Sequence, residues 1–211
     1  MEILGKLFGS DKRVRILRLF LFNPHQAFGI ADIMERAKVD KRSVKRELAT
    51  LKNINLIKRK RFFRSIEKKK GKKVVTKRRK EVGVALDSEF PYLVALQNIL
   101  INTVLLRNDK IIEQLNKVGR LKLIIIAGVF IQDSDSRVDI LIVGDNLKNR
   151  ELTTVIKQFE AEIGKELHYA AFETSEFQYR LGMYDKLVRD ILDFPHKKIL
   201  DRIGLLDEIK A

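Results

Sequence analysis

Between residues 58 and 80 the chain carries 14 lysines and arginines against a single acidic side chain, Glu67. That segment contributes +13 to a formal net charge of +15, residues 1–57 add +6, and residues 81–211 contribute −4. The chain is therefore a strongly cationic N-terminal part followed by a slightly acidic remainder. Such asymmetry suggests one half that binds a polyanion joined to a half with a different task. Its 211 residues suffice for two domains of about 100 residues each. The 45% apolar fraction fills real cores and excludes disorder throughout.

The absence of cysteine removes disulfide scaffolds, thiolate zinc sites and thiol catalysis together. The first apolar stretch, Ile16 to Phe22, is short and interrupted by Arg18, unlike a secretory leader. The longest unbroken apolar run, Leu123 to Ile131, has nine residues, well below the roughly 18 of a membrane-spanning helix. A soluble, cytoplasmic protein with no membrane partner is expected.

Three short helical patterns run from Asp11 to Ile54. In the first, Val14, Leu17, Phe20 and Leu21 form one apolar stripe, and Asn23-Pro24 stops it. The second places Ile30, Ile33, Met34 and Ala37 on one side, and Asp40 then fits the N-cap of a third. In that third helix, Lys41 to Asn53, Val44, Leu48 and Leu51 share a face. Arg42, Arg46 and Asn53 project opposite, flanked by Ser43, Lys45 and Thr50. Two short helices, the second with one apolar and one basic face, follow the logic of helix-turn-helix docking into the major groove.

A β-hairpin is expected next, with Leu56 to Ile66 as one strand, Glu67 to Lys73 as the turn and Val74 to Leu86 as the return, broken near Gly83. Its tip, KKKGKK, holds Lys68, Lys69, Lys70, Lys72 and Lys73 around Gly71, whose missing Cβ eases a tight turn. With Arg59 and Arg61 on the first strand, these lysines suit phosphates or the minor groove. Phe62 and Phe63 are expected to pack in the core rather than stack on bases.

The stretches "SDKRVRILRLFLFNP" and "FGIADIMERAKVDKRSVKRELATLKNINLIKR", with the hairpin after them, resemble winged-helix transcriptional regulators of bacteria and archaea, over about residues 8–87. The resemblance implies that Lys41, Arg42, Ser43, Lys45 and Arg46 hold the contact positions of a recognition helix. Whether Arg42 and Arg46 read guanine O6 and N7 or grip phosphate stays open. The hairpin, at 58–80, is longer and more basic than the common wing. A nuclear localisation run is a lesser alternative for it, and RNA is not excluded as the polymer.

Pro91 opens a strongly apolar helix, Tyr92 to Leu106, read with its flanks (88–107) as a connection between domains or a homodimer seam. Beyond it the pattern is helix, strand–turn–strand, helix, strand, helix. Leu121 to Ala127 and Asp139 to Val143 are apolar enough to be buried on both faces. Glu151 to Ile163 carries a clean helical stripe, and Leu167 to Phe172 is a third strand. An α/β or α+β domain with a mixed sheet is expected over 108–211.

Its segment "LIIIAGVFIQDSDSRVDILIVGDNL" resembles the minimal nucleotidyltransferase domain, and "GKELHYAAFETSEFQYRL" with "LVRDIL" is similar to that family's later strand and helices. The family pattern is a strand, Gly-Ser, then Asp-x-Asp opening the next strand, with carboxylates that hold divalent metal against a triphosphate. Here Gly128 is kept, but Val129 stands for the serine and Arg137 for the first aspartate, leaving Asp139 alone. Asp133 and Asp135 have pair spacing but lie in the preceding loop, where turn formation is the expected role. His25, His168 and His196 are isolated. The expected architecture is thus α+β, a winged helix-turn-helix domain followed by a catalytically inactive nucleotidyltransferase-like domain that binds no metal or cofactor. The expected function is regulation of transcription on double-stranded DNA. The alternatives are an active nucleotidyltransferase and a non-specific RNA or architectural DNA binder.

Overall fold

The structure is a computed structural model that describes residues 3–70, 73–101, 108–133 and 135–205, with backbone alone at 65–70 and 73–77. The chain divides into two compact units, one of residues 1–101 with 160–165 and one of residues 102–159 with 166–211.

The first unit begins with α1 (Ile3–Leu7), α2 (Asp11–Phe22), α3 (Ile30–Ala37) and α4 (Lys41–Asn53). The Ser10 hydroxyl accepts from Arg13 N and caps α2. That helix ends at the expected Asn23, whose side-chain amide donates to Leu19 O at 2.8 Å. The apolar stripes of the three longer helices meet in one core, where Phe20 and Phe28 pack edge to face at 5.7 Å. Asn55 takes a left-handed φ of 59° that turns the chain from α4 into the hairpin.

That hairpin is β1 (Ile57–Lys70) and β2 (Lys73–Leu86), antiparallel in unbroken register from Ile57↔Leu86 to Lys70↔Lys73. Its strands therefore continue past the expected turn boundaries at Glu67 and Lys73. Each has 14 residues, a length of about 45 Å. Only the base is held by packing: Leu56, Ile57, Val84 and Leu86 join the helical core. Phe28 forms a two-way backbone bridge to Val84, with both bonds at 2.9 Å. Gly83 is required there, because a Cβ would collide with the Phe28 carbonyl.

The apolar helix expected after Pro91 is present as α5 (Leu93–Leu100), and residues 102–107 lie outside the described residues. Leu100 is fully buried, and Leu93 and Leu96 pack on the first unit's core. The buried Arg18 donates from Nε to Leu100 O at 3.0 Å, which gives its charge a partner away from water.

The second unit contains α6 (Asn108–Leu115), β3 (Arg120–Ile126), a 3-10 turn (Gly128–Ile131), β4 (Ile140–Asp145), α7 (Asn149–Ile163) up to Phe159, β5 (Tyr169–Glu173), α8 (Thr174–Gly182), α9 (Lys186–Asp193) and β6 (Lys197–Asp201). Strand order is β5-β4-β3-β6; β4 and β5 are parallel and the other pairs antiparallel, so the sheet is mixed. Leu123, Ile125, Leu141 and Val143 face Phe177, Val188 and Ile191 in one core. Ile124, Ile126, Ile140 and Ile142 are buried on the opposite face, as the continuous apolar runs predict. Strand β6 was not expected, since its Lys197 and Lys198 break the apolar pattern. Among the described residues, no helix is long and apolar enough to cross a membrane.

Candidate nucleic-acid interface

Helix α4 begins where the Asp40 carboxylate accepts from Ser43 N at 2.9 Å. The same carboxylate pairs with Lys12 of α2 at 2.6 Å. The Lys12 ammonium first, and then the Ser43 amide and hydroxyl, hold Asp40 well below the usual carboxylate range. Val44, Leu48 and Leu51 turn into the core as expected, which leaves Lys41, Arg42, Lys45 and Arg46 exposed. Ser43 differs from expectation. It is 8% exposed, and its hydroxyl accepts from Lys12 Nζ at 3.1 Å. Its position one residue before Val44 puts it on the edge that meets α2, so it belongs to the cap and not to an outward contact set.

Glu47 was missed by the sequence reading, which followed apolar spacing alone. It lies on the buried side of α4, fully covered, and its Oε2 accepts from Arg13 Nε of α2 at 2.7 Å. Its Oε1 lies 3.3 Å from the Arg46 guanidinium, whose side chain stays 69% exposed. The only acidic residue of α4 is thus turned away from solvent. The outward face presents four cations, of which Arg46 is partly offset by Glu47 beneath it.

The stem of the hairpin continues that charge. Arg59 and Arg61 on β1 are exposed, as are Arg78, Arg79 and Lys80 on β2. The β2 cations were absent from the expected contact set, although alternation across a hairpin would have placed Arg78 and Lys80 on the same face as Arg59 and Arg61. Lys68, Lys69, Lys70 and Lys73 fall in the paired strands, opposite Val75, Val74, Lys73 and Lys70. Lys72 lies outside the described residues, as does Gly71. Arg64 faces Arg79 across the ladder. It is held by Asp32 of α3 at 2.5 Å and by Glu81 at 3.0 Å, and Lys58 pairs with Asp87 at 2.9 Å. A groove of about 480 Å³ lies between residues 25–28, α3 and β1, with His25, Phe28, Arg36 and Phe62 among its lining.

The paired phenylalanines separate. Phe62 is half-buried, with the Arg64 guanidinium 5.9 Å from its ring centre, whereas Phe63 is 68% exposed. Consecutive residues on a strand point to opposite faces, and Phe62 lies on the face that meets α3 and Phe28, whereas Phe63 lies beyond the packed base of the other face. The expectation of core packing holds in part for Phe62 and fails for Phe63.

In the second unit, Asp139 is buried and both its oxygens are taken. Oδ1 accepts from Val129 N and Oδ2 from His168 N, each at 2.8 Å. Gly128, with φ of 51°, leaves the space that the carboxylate fills; a Cβ there would collide with Oδ1. Glycine and aspartate together act as a clasp between the loop after β3 and the entry to β5. Arg137 points elsewhere and pairs with Asp190 at 3.0 Å. The Asp133 carboxylate accepts from Asp135 N at 2.9 Å, the expected turn-forming role. Among the described residues, no group of three histidines or carboxylates is placed to hold a metal ion.

No family model, curated protein or solved structure matches this chain.

Proposed function

We propose that the chain is a cytoplasmic, sequence-specific DNA-binding regulator of transcription. In this reading the first unit is a winged helix-turn-helix module. Helix α4 enters the major groove with Lys41, Arg42, Lys45 and Arg46, and the β1–β2 hairpin is a wing laid along phosphates. The observation that supports the reading is the set of four exposed cations on the first two turns of α4, Lys41, Arg42, Lys45 and Arg46, with the helix's acidic residue Glu47 buried beneath them. The order of elements supports it as well: three helices, with Phe28 bridging to β2, then a basic hairpin. Duplex DNA is the partner, and a homodimer would match paired half-sites.

The second unit is a nucleotidyltransferase-like fold without activity or cofactor, used for interaction or sensing. The support is Asp139, a buried carboxylate whose two oxygens each accept a backbone amide.

The test is binding of a labelled duplex by the full chain and by a variant with Lys41, Arg42, Lys45 and Arg46 changed to alanine. The wild type binds and the variant loses most of its affinity; equal binding by the two would refute the assignment. A parallel incubation with labelled nucleoside triphosphates and Mg²⁺ gives no incorporation if the second unit is inactive.

A further inference from the structure

We infer that Phe63 and Val82 form an apolar wedge that packs against the face of a nucleobase, so that the hairpin stem contacts bases as well as phosphates. The inference rests on the nucleic-acid reading above and deepens it.

The two side chains are 68% and 66% exposed. The ladder register makes them neighbours on one face of the stem: Phe63 is directly opposite Lys80, and Val82 directly opposite Arg61. Two positions further, Ser65 faces Arg78. From Arg59 to Phe63, and from Arg78 to Val82 across the ladder, this face holds no acidic residue, because Glu81 alternates to the other side. An exposed aromatic–aliphatic pair ringed by cations is poorly matched to an ordinary protein surface. Covering it with apolar side chains would desolvate Arg61 and Lys80 without partners. A nucleic acid meets both demands at once, since its phosphates take the cations and its base faces take the ring. A base step at the minor groove of a duplex and an unpaired base offer the same apolar face. Separate duplex and single-stranded probes distinguish them.

The chain contains no tryptophan, so Phe63→Trp installs a unique reporter at an exposed site. Its emission is followed in the full-length protein while a duplex, the matching single strand or inorganic polyphosphate is added, and binding is monitored in parallel by anisotropy of labelled oligonucleotides. Quenching by either oligonucleotide but not by polyphosphate is the expected result, and the stronger quencher identifies the source of the base. With Phe63→Ala, oligonucleotide affinity should fall about 5- to 150-fold, the usual effect of losing one stacking side chain, with polyphosphate affinity unchanged. Oligonucleotide binding without quenching, or with undiminished affinity in Phe63→Ala, would overturn the wedge and leave the charge-based reading intact. Absence of oligonucleotide binding would overturn both.

Discussion

Helix α4 and the β3–β4 junction both present polar side chains at the start of an element, and they treat them in opposite ways. At α4 the fold draws the acidic group inward, onto Arg13, and leaves four cations in water. At the junction the fold draws the acidic group inward as well, and there Asp139 is held by the Val129 and His168 amides. Burial of one carboxylate leaves cations at a surface; burial of the other ties a loop to a strand. The difference lies in what remains outside: four exposed cations in the first case, and in the second an Arg137 that pairs with Asp190.

The largest expected effect lies on the cationic side of the comparison. If about 6–10 phosphates are contacted, duplex affinity should drop by about 10³–10⁵ between 50 and 200 mM salt. A flat response in a salt titration would remove the electrostatic basis of the proposed interface. On the other side, Asp139→Ala strands the Val129 and His168 amides and should destabilise the second unit by about 2–5 kcal/mol. Chemical denaturation would register it, while DNA affinity measured on the folded variant stays unchanged. A stable Asp139→Ala protein would show that the clasp is dispensable and that the carboxylate is held for another purpose.

A smaller effect is expected at Glu47, where Gln keeps the shape but loses the charge that pairs with Arg13. Glu47→Gln should cost about 2 kcal/mol of stability, read as a lower denaturation midpoint, with DNA binding retained. The smallest concerns Asp40. Its carboxyl titrates below the ordinary range because Lys12 and Ser43 favour its charged form. Its stabilising contribution is therefore complete above the unfolded value of about 4 and is lost as pH falls towards the depressed folded one. The difference in thermal midpoint between wild type and Asp40→Asn should be constant from neutral pH to about 5 and shrink under stronger acid. A difference that grows on acidification would contradict the N-cap pairing.

Much of the first unit was legible because its signals are local. The apolar stripe of α2, the Asn23-Pro24 stop and the Asp40 cap each act within a few residues, and each is found where the sequence puts it. The doubly buried β3 and β4 were legible for a similar reason, as continuous apolar runs. What escaped depends on partners far along the chain. The inward turn of Ser43 needs Lys12, and Glu47 needs Arg13. The opposite fates of Phe62 and Phe63 need the packing of α3 and Phe28 on one side of the stem. Strand β6 exists because β3 has an open edge to pair with, not because its own composition demands a strand. The clasp at Gly128 and Asp139 was seen as a motif, but its backbone partners could come only from the fold.

The central claim is that the first unit reads a duplex by sequence. Selection of bound duplexes from a random DNA pool by the full chain at ~150 mM salt, near physiological ionic strength, tests it most directly. The account predicts an enriched motif, arranged as an inverted repeat if two copies bind together. Retained binding with no enriched sequence would contradict it.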